Sequence, residues 1–195
     1  IKDIITGSDR LKTYISNIVD TSRLTEAAGT KLDKVTMVNL SKLVRERTSR
    51  YKKTFLDDKH KAQFKLMVDQ DLMVECNEHY ITQLLDNLIS NADKYGENSL
   101  IKISLRRMNS IMVEFKITDH GIGIPKEELS DIFKSFTTSS KTRTSAGGRG
   151  LGLALCQKVI DAHQGKILAE SDNENGTTFL FVIPIHYHYK ALWLK

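Results

Sequence analysis

The chain has 195 residues, of which 40% are hydrophobic and 27% charged, the composition of an ordinary globular protein with room for one domain and an appendage. Its net charge of +5 comes from scattered lysines and arginines, so the composition does not indicate nucleic acid binding. No apolar run is long enough to cross a membrane, and no secretory signal opens the sequence. Cys76 and Cys156 lack metal-site spacing, and we interpret them as buried thiols of a reducing compartment.

The first 28 residues have the pattern of a helix with an apolar row along one side. Four residues form this row, three of them at intervals of seven: Ile4, Leu11, Ile15 and Ile18. Such a row needs a second helix or a second chain to cover it, as in a coiled coil; the alternative is a helix packed on the core of the main domain. Gly29 ends the pattern, and because Ile1 already lies within it, we expect the sequence to be part of a longer protein.

Residues 29–38 form a connector whose last four residues alternate like a brief strand. Asn39 or Ser41 is expected to cap the next helix, which is apolar on one side and basic on the other. A strand is predicted over residues 64–68, where apolar and polar residues alternate. Asn77 then caps a second helix with apolar residues at helical spacing.

Four further stretches alternate between apolar and polar residues and are predicted strands: residues 100–105, 111–117, 166–170 and 177–183. The first two are separated by a connection of hairpin length, and a helix over residues 151–163 precedes the last two. Helices interspersed with hairpin strands favour an α+β fold, in which an antiparallel or mixed sheet is covered on one face by helices.

The helix that begins after Asn77 carries two amides and a lysine on one side. Asn87 and Asn91 are four residues apart, so their side chains are neighbours on a helix, and Lys94 follows one turn later. Amide oxygens suit a hard cation such as Mg²⁺, and the ammonium of Lys94 adds a charge for phosphates. On this stretch alone, a helix with two solvated amides is an equally good interpretation.

Two glycine-containing regions follow the predicted hairpin. Asp119 stands at a strand end beside Gly121 and Gly123, where a carboxylate can accept a hydrogen bond from an exocyclic amine; an ordinary turn is the alternative. Residues 147–153 open a helix, and their glycines free backbone N–H groups to face an anion. Neither the Walker A spacing nor a Rossmann βαβ unit fits this second region. The long stretch between the two is expected to be a lid or a disordered loop.

Taken in order, these regions resemble the catalytic, ATP-binding part of a sensor histidine kinase, from the superfamily that also contains gyrase. The matching segments are the N box at residues 87–95, the G1 box at 119–123, the F box at 133–136, the G2 box at 148–152 and the threonine motif at 176–179. Each segment alone is a weak signal, whereas the ordered set is specific. The resemblance implies a two-layer α/β sandwich of the Bergerat type, preceded by a long N-terminal helix.

The resemblance also implies a division of the chain into four segments. Residues 1–28 would be the second helix of a dimerisation and phosphotransfer hairpin, residues 29–38 a linker, residues 39–185 the ATP-binding catalytic domain and residues 186–195 a tail. The implied partners are a second copy of the protein, which pairs through the N-terminal helix, and the receiver domain of a response regulator. Membrane contact would be made only by parts outside this sequence, and the implied location is cytoplasmic, as a free protein or as the cytoplasmic part of a membrane sensor.

The implied cofactors are ATP and Mg²⁺, and the N box would supply most of their ligands. Asn91 would ligate the metal, Asn87 would support the metal or its water, and Lys94 would reach the phosphates. Asn87 and Lys94 are thus the residues expected to act in catalysis. The ring of Tyr95 would lie against adenine or ribose.

The glycine regions would hold the two ends of the nucleotide. Asp119 would accept the adenine amine, with Thr177 joined through water, while Gly121 and Gly123 leave room for the base. Four residues of the G2 box would let the lid cross the phosphates: Gly148, Gly150, Leu151 and Gly152. Phe133 and Phe136 of the F box would anchor that lid.

The sequence departs from the family pattern in ways that keep a second function open. The family carries a phosphorylatable histidine followed by an acid, and none of the six histidines has that context: His60, His79, His120, His163, His186 and His188. Asp93, Ser135 and Arg149 also replace residues that are usual in the family, so a catalytically impaired nucleotide-binding or scaffolding module is the alternative. Hydrolysis is disfavoured, because the gyrase relatives place a glutamate where this chain has Asn87, which cannot act as a base.

Overall fold

The structure is a computed structural model that describes residues 15–16, 18–24, 32–54, 63–97, 99–142, 150–172 and 175–187. Helix α1 covers residues 18–24, and residues 15 and 16 are also helical. The other helices are α2 (Leu40–Thr54), α3 (Glu78–Tyr95) and α4 (Gly152–Ala162), with a 3₁₀ helix at Lys126–Glu128. The strands are β1 (Thr36–Asn39), β2 (Gln63–Val68), β3 (Met73–Cys76), β4 (Leu100–Arg107), β5 (Met112–Thr118), β6 (Lys166–Ser171) and β7 (Thr177–Pro184).

Five strands form the main sheet, in the order β2-β4-β5-β7-β6. The pair β2 and β4 is parallel and the other pairs are antiparallel, so the sheet is mixed. Buried side chains on alternate positions of the strands face the helices, and Phe115 stacks on Phe181 at a centroid distance of 4.9 Å. The predicted α+β class with a two-layer sandwich is confirmed.

A second sheet pairs β1 with β3 antiparallel, and β3 was missing from the sequence prediction. The alternation of Leu72, Val74 and Cys76, all buried, was the available signal. Strand β3 has only four residues and lies between a turn and the cap of α3, so its alternation is easily missed. Strand β1 begins at Thr36, so the predicted linker over residues 29–38 includes part of this sheet.

Helix α3 forms where the sequence combines a cap with an apolar stripe. The side chain of Asn77 accepts a hydrogen bond from the backbone N–H of Tyr80 at 3.1 Å, which satisfies one free donor of the first turn. Six apolar side chains at helical spacing are buried: Ile81, Leu84, Leu85, Leu88, Ile89 and Ala92. This stripe fixes the rotation of α3, so the opposite side of the helix is left for polar residues.

His163 links the start of α3 to the end of α4 by two hydrogen bonds. Its Nε2 accepts a hydrogen bond from the backbone N–H of Asn77 at 3.0 Å, and its Nδ1 donates to the carbonyl of Val159 at 2.7 Å. These two bonds require the neutral ring with the proton on Nδ1. Burial lowers the pKa of His163 to about 4, against a smaller opposing effect of the bond to Val159.

Helix α1 contacts the first half of α3. Gln83 Nε2 donates to Asp20 Oδ2 at 2.7 Å, and the hydroxyl of Ser16 donates to the same oxygen at 3.0 Å. Elsewhere on α1, Ile15 and Ile18 are 55% and 52% exposed, as expected for an apolar row that needs a partner. Ile4, Leu11 and the predicted helix end near residue 28 lie outside the described residues.

The two cysteines are free and buried, as predicted. Burial raises the pKa of the Cys76 thiol to about 12, and burial also raises the pKa of Cys156. Both thiols are therefore inert packing groups at neutral pH. The predicted tail starts at residue 186, and its neighbour Tyr187 is buried, with its hydroxyl accepting from the backbone N–H of Leu32 at 2.7 Å. Among the described helices, none is both long and apolar enough to span a bilayer.

Candidate nucleotide site

Four residues of the N box lie along one side of α3, next to its buried stripe: Asn87, Asn91, Lys94 and Tyr95. Their spacing of four, seven and eight residues puts them on one helix face. Asn87, Asn91 and Tyr95 are half-buried and Lys94 is exposed. The ammonium of Lys94 lies 4.9 Å from the ring centroid of Tyr95, within cation–π distance.

The middle of this face contacts the start of α4. A Cβ atom on Gly152 would lie 3.0 Å from Oδ1 of Asn87, so the absence of a side chain lets the asparagine approach the first turn of α4. Leu151, which is buried, gives this turn no side-chain cap. The first N–H groups of α4 thus have neither an intrahelical partner nor a side-chain cap, an arrangement suited to an anion.

The F box and the G2 box meet at the two ends of the lid. The backbone N–H of Phe136 donates to the carbonyl of Gly150 at 3.0 Å. Gly150 has a φ of 67°, and a Cβ atom there would lie 2.3 Å from the carbonyl oxygen of Thr137. Only glycine fits such a position. Gly148 and Arg149, the other predicted members of the G2 box, lie outside the described residues.

The two aromatic residues of the F box differ in their packing. Phe133 packs on the core and meets Phe179 edge to face at a centroid distance of 6.3 Å. Phe136 is 74% exposed and has a φ of 64°, so the prediction that its ring anchors the lid is wrong. Its contribution to the lid is the backbone bond to Gly150. Ser135, between them in sequence, is also exposed.

Asp119 is buried at the end of β5 and is held by backbone groups from two loops. Its Oδ1 accepts from the N–H of Gly121 at 3.0 Å and from the N–H of Thr177 at 3.2 Å. Burial raises the pKa of Asp119, and these two hydrogen bonds oppose the shift. Within the described part of the chain, neither bond uses Oδ2, so this oxygen can accept a hydrogen bond from a ligand.

The G1 box packs directly on the end of α3. The backbone N–H of Ile122 donates to the carbonyl of Tyr95 at 3.1 Å. A Cβ atom on Gly121 would lie 1.7 Å from that same carbonyl oxygen, so no other residue fits here without moving one of the two segments. Gly123 has a φ of 67°, which also favours glycine. The close approach brings Asp119 and the N box to the same region.

The lid makes polar contacts with the G1 box and with the 3₁₀ helix that follows it. Lys141 Nζ donates to the carbonyl of Ile122 at 2.7 Å, and the N–H of Ser140 donates to both carboxylate oxygens of Glu128 at 3.1 and 3.2 Å. These contacts place a cation at the border of the candidate site. Asp93, a departure from the family pattern, is turned towards α2, where its Oδ2 accepts from the hydroxyl of Tyr51 at 3.3 Å.

Three further residues shape the site: Gly96 and Ser171 were not singled out from the sequence, and Gly176 was predicted only as part of the threonine motif. A Cβ atom on Gly96 would lie 3.3 Å from Cβ of Asp119, and one on Gly176 would lie 2.1 Å from the Asp119 carbonyl oxygen. The Ser171 hydroxyl accepts from the N–H of Ile124 and donates to the carbonyl of Gly176. Glycine just after a helix was a usable signal for Gly96. The role of Ser171 depends on strand pairing, which a single sequence does not reveal.

The donor set suits a metal that is shared with phosphates. Asn87 and Asn91 offer two neutral amide oxygens, the kind of ligand that Mg²⁺ accepts. Among the described residues, no group of three or more histidines, cysteines or carboxylates is placed to hold a metal ion. A cation bound by the two asparagines would therefore need its remaining ligands from phosphate oxygens and water.

Comparisons with known proteins agree with this geometry. The family described as histidine kinase-, DNA gyrase B- and HSP90-like ATPases matches residues 76–187. The sensor histidine kinase WalK of Bacillus subtilis is 36% identical over 140 residues, which cover 70% of this chain and 23% of that protein. This chain spans less than half the length of the first curated relatives that it matches.

Solved structures show the same fold. The catalytic domain of the histidine kinase ThkA superposes with a TM-score of 0.68 at 35% identity, covering 78% of this chain and 99% of that domain. A complex of ThkA with the response regulator protein TrrA gives a TM-score of 0.73 at 32% identity, covering 97% of this chain and 51% of the ThkA chain. The resemblance to sensor histidine kinases is confirmed, and the family match, which extends over more than half of the sequence, identifies this chain as a member of the histidine kinase-, DNA gyrase B- and HSP90-like ATPases.

Proposed function

We propose that this chain is the ATP-binding catalytic part of a two-component sensor histidine kinase and that ATP lies along the polar face of α3. The observation that carries the proposal is that one helix contacts both glycine regions. The middle of α3 meets the start of α4 through Asn87, and the end of α3 meets the G1 box through the Tyr95 carbonyl. A nucleotide bound along this face can reach a buried carboxylate with its base and an uncapped helix N-terminus with its phosphates.

The adenine end of the proposed site is Asp119. Its Oδ1 is occupied by two backbone N–H groups, so the carboxylate is fixed in orientation and Oδ2 can accept from the exocyclic amine of adenine. Guanine carries a carbonyl oxygen at the equivalent position. This oxygen and the carboxylate are both hydrogen-bond acceptors, so no hydrogen bond would form between them. Gly123 would leave space beside the carboxylate, whereas Gly121 lets the loop approach the Tyr95 carbonyl. The Tyr95 ring offers a surface for the base or ribose.

The phosphate end is formed by Asn87, Asn91, Lys94 and the start of α4. The two amide oxygens would hold Mg²⁺ together with phosphate oxygens, and Lys94 would leave its position over the Tyr95 ring to reach a phosphate. Bound Mg²⁺ supplies neutralisation of the charge that develops on the phosphates. Four residues of the G2 box would let the lid cross the phosphates: Gly148, Gly150, Leu151 and Gly152. Thr177 would complete the adenine end.

The proposed reaction transfers the γ-phosphoryl group of ATP to an imidazole nitrogen. The bond between the γ-phosphorus and its bridging oxygen breaks, ADP leaves with the electron pair, and a phosphorus–nitrogen bond forms on a histidine. None of the six histidines in this sequence has the expected acidic neighbour, so the acceptor would be on a helix outside it. His163 is excluded as acceptor because it is buried and both ring nitrogens are bonded.

The proposed division of the chain follows the resemblance: residues 1–28 in a dimerisation and phosphotransfer hairpin, a linker to residue 38, the catalytic domain to residue 185 and a tail. Exposed Ile15 and Ile18 support pairing with a second copy. The complex of ThkA with TrrA supports a response regulator as the recipient of the phosphoryl group. A cytoplasmic location and membrane contact only through other parts of the protein belong to the same proposal.

The second candidate is a nucleotide-binding module that does not transfer phosphate. Ser135 is the observation that favours it, because this position of the F box often carries an arginine in the family and here the side chain is a short, exposed hydroxyl. Lys141, which donates to the Ile122 carbonyl at the border of the site, is a described cation that would compensate. The two candidates make the same prediction for ATP binding and opposite predictions for transfer.

Incubation with ATP labelled at the γ-phosphorus tests the proposed function. This chain alone should remain unlabelled, whereas a longer chain of the same protein that includes the preceding helix should acquire an acid-labile phosphate on histidine. Label on this chain alone would disprove the missing acceptor. Tight ATP binding without transfer in the longer chain would instead establish the nucleotide-binding module.

A further inference from the structure

A depression of about 580 Å³ lies on the face of the main sheet opposite the helices, and it shares no residue with the nucleotide site. Its floor is apolar and comes from three strands: Met112 on β5, Leu180 and Val182 on β7, and Leu168 on β6. Leu168 is 43% exposed, and Met108 at the border is 49% exposed. A concave apolar surface of this size is in the range of binding sites for ligands and peptide side chains.

The strand register explains why this surface is open. Phe179, Phe181 and Ile183 of β7 are buried on the helix side, so the alternate residues Leu180 and Val182 face the other way. Leu180 pairs with Leu168, and Val182 pairs with Lys166, which brings the apolar residues of two strands side by side. A row of apolar residues on a solvent-facing sheet surface is unusual, because the outer face of a one-sided sandwich is ordinarily polar.

The surface around the depression is cationic. The open face of the sheet carries five basic residues on its strands: Lys65, Lys102, Arg106, Lys116 and Lys166. Glu114 and Glu170 are the acids at the equivalent outward positions, which leaves three positive charges in excess. Glu114 is already neutralised by Arg106 at 2.6 Å. Lys166 lines the depression, and Lys116 pairs with Leu180 of its floor. No ion pair among the described residues involves either lysine.

These charges decide between possible occupants. A second copy of the chain would bring the same cations face to face, and the whole chain has a net charge of +5, so self-association here is disfavoured. The last eight residues of the sequence, 188–195, contain two lysines and no acid, so they do not complement the surface either. An anionic membrane would match the charge, but membrane-binding surfaces present protruding apolar groups, whereas this one is concave.

We propose that this depression binds an acidic, amphipathic segment of a partner protein, whose apolar side chains fill the floor while its carboxylates pair with Lys116 and Lys166. Helices that bind in apolar grooves use anchors at intervals of three and four residues, and the flanking charges set the specificity. The segment would bind on the side of the sheet away from the nucleotide, so nucleotide binding and partner binding can occur together. The site is independent of the phosphoryl transfer proposed above.

A designed peptide pair tests the proposal. One fluorescent peptide has leucines at intervals of three and four residues with glutamates elsewhere, and the other has lysines in place of the glutamates. The fluorescence anisotropy of the acidic peptide should rise as the chain is added, and that of the basic peptide should stay constant. Two variants should each bind the acidic peptide more weakly, by about tenfold or more. One reverses two charges by Lys116→Glu with Lys166→Glu, and the other is Leu168→Asp.

Two controls make the outcome decisive. Lys42→Glu, an exposed change on α2 in the other layer, should leave peptide affinity unchanged. All the variants should bind a fluorescent ATP analogue like the parent chain, because the substituted residues lie away from the nucleotide site. Equal affinity for both peptides, insensitivity to the substitutions on the open face, or stronger binding to phosphatidylglycerol vesicles than to the acidic peptide would each overturn the proposal.

Discussion

Asp119 is a structural link between two loops and, in the proposed site, would also bind the ligand. Its Oδ1 joins the G1 box to β7 by accepting from Gly121 and Thr177, which fixes the direction of Oδ2. Two positions near Asp119 require glycine, because Cβ atoms on Gly96 and Gly176 would collide with neighbouring atoms of the chain. The proposed recognition of the nucleotide would therefore depend on the small residues that let the backbone approach the carboxylate.

The substitution Asp119→Asn tests base recognition. The amide keeps the oxygen that accepts from the two backbone N–H groups, but it replaces the second acceptor with a donor. ATP should lose about 1–3 kcal/mol of binding relative to GTP, because the adenine amine then meets an N–H group. Competition of ATP and GTP against a fluorescent ATP analogue measures this. Identical competition by both nucleotides in the parent and the variant would show that the adenine pocket is elsewhere.

The elements of the site are held together by a few close contacts between α3, α4 and the G1 box. Helix α3 could be predicted in detail, because the cap at Asn77 and the apolar stripe both identify it. Strand β3 was missed because four residues carry too little pattern, and the exposed ring of Phe136 was missed because a motif specifies a residue type but not its burial. The depression on the open face also follows from strand register, which one sequence does not supply.

A clash at Gly121 tests the contact between the G1 box and α3. Gly121→Ala would put a methyl group within 1.7 Å of the Tyr95 carbonyl oxygen, so the loop must move away from the helix. We expect a loss of about 1–3 kcal/mol or more in the free energy of unfolding, and a large loss of ATP affinity. Gly165→Ala is the matched control, because its Cβ atom would lie 2.3 Å from the Val182 carbonyl, away from the site. It should destabilise the fold and leave ATP affinity unchanged; equal loss of affinity in both variants would contradict the argument.

Because His163 is buried, the free energy of unfolding is predicted to depend on pH. Its pKa is about 4 in the folded chain and about 6.5 in the unfolded chain. Between these values the unfolded state binds more protons, so stability rises with pH through this window and is lost as pH falls from about 6.5 to about 4. The expected loss is on the order of 3 kcal/mol. Denaturant unfolding at several pH values measures it.

A variant separates this effect from general acid denaturation. His163→Gln should be less stable than the parent at neutral pH, because the hydrogen bonds to Asn77 and Val159 are disturbed. It should also have a shallower dependence on pH within the window. His79→Gln, an exposed change on α3, should keep the parent slope. If the parent and His163→Gln had the same slope, the buried histidine would not be its source.

In the whole molecule, the proposed nucleotide site occupies the helix layer and leaves the open face of the sheet available for a partner. The α+β sandwich, the order of the boxes and the family could all be predicted from the sequence, because they depend on periodic patterns and on local motifs. The contacts of α1 could not, because they depend on tertiary packing of Asp20 against Gln83. The exposed side of α1 and the open face of the sheet are two separate surfaces that we propose for interactions.

The exposed row on α1 predicts self-association of this chain or of a longer one. Ile15→Asp combined with Ile18→Asp should shift the equilibrium towards the monomer, because charges would replace the apolar residues of the row. Sedimentation equilibrium over a range of concentrations measures the change. Lys42→Asp, on α2, serves as the control and should leave the equilibrium as it is. An unchanged molar mass in the double variant would exclude α1 as the dimer interface.

We propose above all that the polar face of α3 binds ATP together with Mg²⁺, and Asn91→Ala tests this most directly. Titration with a fluorescent ATP analogue, with and without Mg²⁺, should show that Mg²⁺ strengthens binding to the parent chain. The variant should lose most of that gain, by about tenfold or more, because an oxygen ligand is gone. Gln70→Ala, which removes an exposed amide elsewhere, should behave like the parent. Unchanged affinity in Asn91→Ala, with the same response to Mg²⁺ as the parent, would contradict the claim.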